Sequence, residues 1–429
     1  MLFSLVYVLM MGSHSTFADK QSIQQQIDQA KPGDTIEIPE GDYDETLTIN
    51  QPIHLIGTDG VTFTHKGSDP IITIHSDDVV IEHMHLKYTN DDKEASGAIF
   101  VEGNHNVLHD IHIETNSYGV HLDGANDNEL SNLTINGDQN ALFKDRDHGI
   151  YVWKSHNNII HDTRVKHVQD GIYMEQSSNN HVYSNIATHS RYGYHLMFTK
   201  NSLLEENESY ENVSGMMIMG TDGTVATHNI LRHNQENLQS LGLLLFDVTN
   251  AMITENNLSY NRIGIFVEDA SDNEINHNYV HGNYIGLQFK GAYNNHIYHN
   301  TFVANVVPGQ AEDSADNNTN KNYWSDHLGI DMTGDGTSDL KYTVDPFFLN
   351  ITDQYPPFQL LFQAPGMIFL EQLIHTPIEQ QFVDQAPLME NPLDMNDEDH
   401  SKSQGIVLLF SMTLLFFSSI IIYLGVKQQ

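Results

Sequence analysis

Gly149-Ile150-Tyr151-Val152, Gly171-Ile172-Tyr173-Met174, Gly193-Tyr194-His195-Leu196 and Gly215-Met216-Met217-Ile218 start 22 residues apart. A fixed short period of this kind marks a solenoid, in which each repeat is one coil that cannot bury its apolar face alone. Working outward, the aligned glycines are Gly97, Gly119, Gly149, Gly171, Gly193, Gly215, Gly242, Gly264 and Gly286, and six of their eight intervals are 22 residues. The other two, 30 and 27 residues, imply loops inserted at coil corners. One residue after each glycine stand Ala98, Val120, Ile150, Ile172, Tyr194, Met216, Leu243, Ile265 and Leu287. Three residues after stand Phe100, Leu122, Val152, Met174, Leu196, Ile218, Leu245, Val267 and Phe289. Both columns are apolar throughout, so with a strand period of two they face inward. A second inward column, eleven residues on, runs Ile160, Val182, Leu204, Ala226, Ile253, Ile275, Ile297. Asparagine recurs three residues beyond that, at Asn185, Asn207, Asn229, Asn256, Asn278 and Asn300, as stacked side-chain amides at turns require. Short strands, three per coil, predict an all-β fold, a right-handed parallel β-helix of about 22 residues per coil. A leucine-rich or helical repeat fits less well, because the strands are short and the columns β-branched.

The chain has 429 residues, 57 acidic and 19 basic, for a formal charge of −38. Nucleic acid is excluded as a partner, since phosphate binding needs a basic stripe. Cysteine is absent, which removes disulfides, thiolate metal sites and Cys nucleophiles. The 26 His and 15 Met remain as nitrogen and thioether donors. Most of those histidines read as polar turn and surface residues.

Residues 1–18 carry an apolar run and end in Thr16-Phe17-Ala18, reading as a secretory signal peptide without the usual basic start, or as an uncleaved anchor. An amphipathic segment with Ile23 and Ile27 is suited to cover the open end of the β-helix, which spans 19–306. A C-terminal cap follows over 307–345. Within it Asp331, Thr333, Asp335 and Asp339, with Gly336 at the sharp turn, copy the first nine positions of a calcium loop, although the twelfth is Tyr342. Calcium at Asp331, Asp335 and Asp339 and a plain Asx/Gly turn are both open. Residues 346–395 are apolar and Pro-rich and are expected to dock on another surface through Phe358, Leu361, Phe362 and Phe369. An acidic linker (396–404) leads to 405–426, which holds 22 residues without a charge. That is roughly 33 Å of helix at about 1.5 Å per residue, a single-pass transmembrane anchor with the solenoid outside the cytoplasm.

If the first and third positions point inward, the second and fourth point out. The outward pairs run Ile99/Val101, His121/Asp123, Tyr151/Trp153, Tyr173/Glu175, His195/Met197, Met217/Met219, Leu244/Phe246, Phe266/Glu268 and Gln288/Lys290. His195, Met197, Met217 and Met219 thus fall on two neighbouring coils. An imidazole with several thioethers is a soft set that favours Cu(I). The same residues also read as part of an apolar docking stripe with Trp153, Leu244, Phe246 and Phe266. A polysaccharide-acting enzyme would need convergent carboxylates with a basic group. The one candidate cluster is Lys144-Asp145-Arg146-Asp147-His148 with Asp170 and Glu175.

Tyr194-His195-Leu196-Met197-Phe198, Met217-Ile218-Met219, Asn305-Val306-Val307-Pro308, the run from Asp345 through Pro356-Pro357-Phe358 to Gly366, and Asp384-Gln385-Ala386-Pro387-Leu388-Met389 resemble the NosD family. That family of nitrous oxide reductase maturation proteins sits within the wider carbohydrate-binding and sugar-hydrolase β-helices. The resemblance covers nearly all of residues 20 to 392. It implies a non-enzymatic extracytoplasmic assembly factor working with an ABC transporter (permease and ATPase), receiving copper from a lipoprotein chaperone and serving nitrous oxide reductase. On that implication the 346–395 extension docks on the transporter. The transmembrane tail departs from the soluble form of the family.

Overall fold

The computed structural model describes residues 21–90, 97–237, 239–344, 355 and 382–393. The signal segment 1–18, the docking residues Phe358, Leu361, Phe362 and Phe369, and the apolar run 405–426 lie outside the described residues. Among the described residues no helix is long and apolar enough to cross a membrane. The chain forms two compact units, Met1–Thr224 and Val225–Gln429. Among the described residues each is built mainly of stacked parallel β coils.

In the first unit one face of the coils is a parallel ladder. It runs Leu47–Ile49, Ile72–Ile74, Ile99–Val101, Val120–Asp123, Ile150–Trp153, Asp170–Glu175, Tyr192–Met197 and Ser214–Met219, each paired with the next. The remaining faces are shorter ladders, such as His181–Tyr183 on Leu203–Glu205 and Ile186–Thr188 on Glu208–Tyr210. Val120, Ile150, Tyr194, Met216 and their column mates are buried, as are Ile160, Val182 and Leu204, so the core is the interior of each coil. A short helix, Ile23–Gln29, is capped by Ser22 and buries Ile23 and Ile27. Gln24 and Gln51 lock it down: Gln24 bonds both backbone groups of Thr48, and Gln51 donates to the Ile27 and Ala30 carbonyls. The 30-residue interval accommodates a 3-10 turn, Phe143–Asp145.

The recurring glycines are explained by close approach. A Cβ on Gly171 would lie 2.5 Å from the Gly193 carbonyl oxygen and 2.8 Å from Ala187 Cβ, and one on Gly193 would lie 2.7 Å from the Gly215 oxygen. No side chain fits there. The first copy is shifted by one residue relative to the spacing read from Gly97. Ile99 and Val101 pair with Val120 and Leu122 and are fully buried, while Phe100 pairs with outward His121. Gly97 sits at φ +102°, inside the turn, and Ala98 takes the glycine slot. Among the described residues eight histidines, including His83, His105, His167 and His189, adopt left-handed turn conformations. Histidine is enriched in that region, which accounts for these eight of the 26 without metal.

The second unit repeats the pattern. Leu241–Phe246, Ile263–Glu268, Ile285–Lys290 and Val307–Glu312 pair in parallel. Among the described residues asparagines form ladders, buried except at half-buried Asn305 and Asn317: Asn256-Asn278-Asn300-Asn322, Asn273-Asn295-Asn317 and Asn261-Asn283-Asn305. The last coil is closed by Trp324, stacked on Phe302 at 4.2 Å and on Tyr342 at 4.7 Å. The strand Tyr342–Val344 pairs antiparallel with Phe382–Asp384. Asp384, fully buried, accepts hydrogen bonds from Trp324 Nε1 and from both nitrogens of Asn322.

Candidate functional site

The register of the first unit places His121, Tyr151, Tyr173, His195 and Met217 in one column and Asp123, Trp153, Glu175, Met197 and Met219 in the next. The four soft donors expected from sequence are therefore brought together: His195 lies opposite Met217, and Met197 opposite Met219. They are not an open stripe, however. His195 is 7% exposed and Met217 6%, while Met197 and Met219 are half-buried. Part of the cover comes from the column itself. Tyr151 stacks on Tyr173 at 5.2 Å, Tyr173 on His195 at 4.5 Å, and Tyr192 meets His195 edge-on at 5.3 Å.

Beneath this column lies a buried carboxylate that the strand period did not locate. Asp170 is fully buried and receives Arg191 through two bonds, Nε at 2.8 Å and Nη2 at 2.7 Å. His195 Nδ1 meets the same carboxylate at 2.9 Å, and His148 Nδ1 stands 3.5 Å away. Burial pushes the Asp170 carboxyl up, but the His195 and Arg191 bonds outweigh it and hold it at about 2. An ionised Asp170 accepts the Nδ1 proton of His195 and leaves the lone pair on Nε2. That Nε2 is itself buried and has no hydrogen-bond partner. Carboxylate–imidazole pairs of this form orient metal-binding histidines and raise their basicity. Met197 Sδ lies 3.4 Å from the Tyr173 hydroxyl, whose proton goes to Glu175 at 2.9 Å; Tyr151 donates to the same Glu175 oxygen at 2.9 Å. Burial and Glu175 raise both phenols, and burial with the Asp147 and Glu175 charges pushes Tyr118 up to about 12, so all three stay protonated donors at neutral pH.

His148 carries a pH prediction. Burial drives it from 6.5 down to about 4, with Asp170 offsetting only part of the shift. Between these values the unfolded chain binds the proton and the folded chain does not, so stability falls as pH drops from about 6.5 toward 4. The limiting loss is on the order of 3 kcal/mol. His148→Asn should flatten urea-derived stability over that range; an unchanged slope would remove His148 as its source.

Among the other expected residues, Trp153 is half-buried and carries Lys154 over its ring at 3.9 Å. In the second unit Leu244 is 6% exposed and lies beside half-buried Phe266, and this column gives way to Gln288. Half-buried Phe246 is followed by Glu268 and Lys290, which bridge at 2.7 Å. The carboxylates of the Asp/Gly loop stay near the surface and bond the loop's own backbone. Asp331 accepts from the backbone N–H of Thr333, Gly334 and Gly336, Asp335 from Thr337, and Asp339 from Met332. Tyr342, at the twelfth position, bonds Asp326 instead. This is the geometry of an Asx/Gly turn, with much of its acceptor capacity already used. Arg191 is the member of the Asp170 cluster that sequence reasoning did not name.

Fold and site together define a parallel β-solenoid with an aromatic and histidine-methionine site on one ladder of the first unit. Residues 131–334 match the family model described as periplasmic copper-binding protein (NosD), and residues 53–197 match that of the right-handed β-helix region. The NosD match covers just under half of the chain. A relative from Pseudomonas aeruginosa, named probable ABC transporter binding protein NosD, is 26% identical over 133 residues. That match spans 30% of this chain and only 31% of the relative. Among solved structures, a mannuronic acid-specific polysaccharide family 6 lyase from human gut microbiota aligns with TM-score 0.55 and 13% identity, over 71% of this chain and 85% of its own. At that identity the likeness is of fold alone. The A-module of a mannuronan C-5 epimerase from Azotobacter vinelandii aligns at 0.49 and 12% identity, over 69% and 93% respectively.

Proposed function

We propose that this chain is a non-enzymatic extracytoplasmic copper-handling factor that passes Cu(I) toward nitrous oxide reductase, working with an ABC transporter and receiving the ion from a lipoprotein chaperone. The observation that carries this reading is the Asp170–His195 pair. It presents a buried, unpartnered Nε2 beside Met217, Met197 and Met219. One imidazole and thioethers make a soft set suited to Cu(I) over zinc, calcium or magnesium. Without cysteine the site holds its cargo loosely enough to release it. The match of residues 131–334 to the NosD family model supports copper as the cargo and a location outside the cytoplasm. The name of the Pseudomonas relative supports the transporter as partner. In this reading the 346–395 segment docks on the transporter and 405–426 tethers the chain to the membrane.

The test is a Cu(I) titration of the protein against a chromophoric chelator. The parent should bind one ion at this site, His195→Ala should weaken it at least 10-fold, and Met197→Ala/Met219→Ala should weaken it similarly. If the parent takes no Cu(I) from the chelator, the copper reading is lost.

A second reading is favoured by one constellation: Tyr151 and Tyr173 sharing Glu175 beside Arg191, Asp170 and His195. Hydroxyls, a guanidinium and carboxylates could serve a polysaccharide-acting enzyme. Activity on polyuronates that disappears in Asp170→Asn would favour it.

A further inference from the structure

Well before the His195 ladder, three chemistry-bearing side chains meet on a different face of the first unit. His85 lies on the strand Val80–Thr89, and His112 and Glu114 on Val107–Thr115. The register makes His85 and His112 direct neighbours across the ladder. Their rings stand 4.6 Å apart. Glu114, two residues beyond His112, projects on the same side, with Oε1 3.4 Å from His85 Nε2 and 4.0 Å from His112 Nε2. One ligand atom from each of the three lies within 4.8 Å of the others. His85 Nε2 is buried and makes no hydrogen bond.

We propose that His85, His112 and Glu114 form a second metal site, for a divalent transition-metal ion of the Zn2+/Cu2+ class, which clasps two neighbouring coils. Three donors about 2.0–2.1 Å from a tetrahedral ion lie about 3.3 Å from one another. The His85–Glu114 separation already meets that spacing; the His112–Glu114 pair at 4.0 Å, and the trio as a whole within 4.8 Å, would close by up to about 1.5 Å on an ion. Two imidazole nitrogens and a carboxylate oxygen, with water in the fourth position, suit a borderline divalent ion; Cu(I) prefers the thioether set on the other ladder. The net charge of −38 enriches cations near the surface.

Asn136 sharpens the assignment. Its side-chain amide donates to His112 Nε2 at 2.9 Å, which keeps the lone pair on the nitrogen that would ligate. A metal ion takes that lone pair and turns Asn136 aside, so Asn136 competes with the ion.

Calorimetric titration of the EDTA-stripped full chain with Zn2+, and electron paramagnetic resonance with Cu2+, test the site. One ion per chain is expected from at least one of the two metals, unaffected by His195→Ala. Glu114→Gln should weaken it about 10–100-fold, His112→Ala should abolish it, and Asn136→Ala should tighten it. Glu114 is half-exposed, so its variant tests the site without threatening the fold. Zinc should also raise the melting temperature of the parent and not that of Glu114→Gln. Neither metal binding the parent stoichiometrically, or binding that persists unchanged in both Glu114→Gln and His112→Ala, overturns the proposal.

Discussion

Asp170→Ala is expected to destabilise the protein by about 3–5 kcal/mol, the range for breaking a buried ion pair by removing one partner. Asp170 is fully buried, whereas the Arg191 side chain keeps 33% of its exposure, so solvent screens part of the stranded guanidinium and the lower end applies. The loss comes less from the attraction forfeited than from the charge left behind. Asp170→Ala/Arg191→Ala should therefore be more stable than Asp170→Ala alone, despite the larger deletion. Asp170→Asn separates stability from site chemistry. It keeps the shape and an acceptor for His195 Nδ1, but withdraws the negative charge that raises imidazole basicity. Its expected Cu(I) affinity is 10–100-fold below the parent, with a far-UV spectrum unchanged. Urea unfolding of the three variants decides the first point. A loss under about 0.5 kcal/mol for Asp170→Ala, the range of an ordinary surface substitution, would show that the carboxylate organises nothing.

Why Asp170 and Arg191 were hard to read from sequence is a matter of the backbone. The columns one and three residues after each glycine are strict alternation, and their burial follows directly. Asp170 stands one residue before its glycine, where the same alternation points inward. The ladder pairs Asp170 with Tyr192 and resumes with Ile172 on Tyr194, skipping Gly171 and Gly193. At that glycine the register skips a pair, and the preceding side chain meets His195. A composition signal was nevertheless present. The pre-glycine residues of the first unit are Tyr118, His148, Asp170, Tyr192 and Ser214, against Leu241, Ile263 and Ile285 in the second. Polar groups at that position mark the coils that build a site. His195, Met197, Met217 and Met219 were legible because a strand period places them directly; their burial was not, since covering is a tertiary property. The first coil misled for a related reason: Gly97 belongs to a turn, so its copy is displaced by one residue and Phe100 joins the outward column.

Asn278→Ala should cost about 3–5 kcal/mol, counting about 1–3 for each buried polar group left unpaired. Asn278 Oδ1 accepts from both the backbone N–H and the side-chain amide of Asn256, at 3.0 and 2.9 Å. Its own amide donates to the Ile253 carbonyl at 2.8 Å and to Asn300 Oδ1 at 2.9 Å. Alanine leaves at least the Asn256 N–H and the Ile253 carbonyl without partners in a site only 1% exposed, too tight for water to enter without rearrangement. The ladder also has a direction: each amide donates toward the next coil, and Asn322 finally donates to the Asp384 carboxylate. Asp384→Asn keeps an acceptor in that place and should cost far less than Asp384→Ala, which strands Asn322 and Trp324 Nε1 together. Leucine at 278 has the same number and branching of side-chain heavy atoms as asparagine, with bulkier methyl ends; it refills the space but restores no hydrogen bond. If Asn278→Leu recovers most of the stability lost by alanine, the asparagines act by filling volume; if it does not, hydrogen bonding holds the coils in register. The second outcome is expected, because a backbone N–H facing the neighbouring coil has no alternative acceptor within the stack.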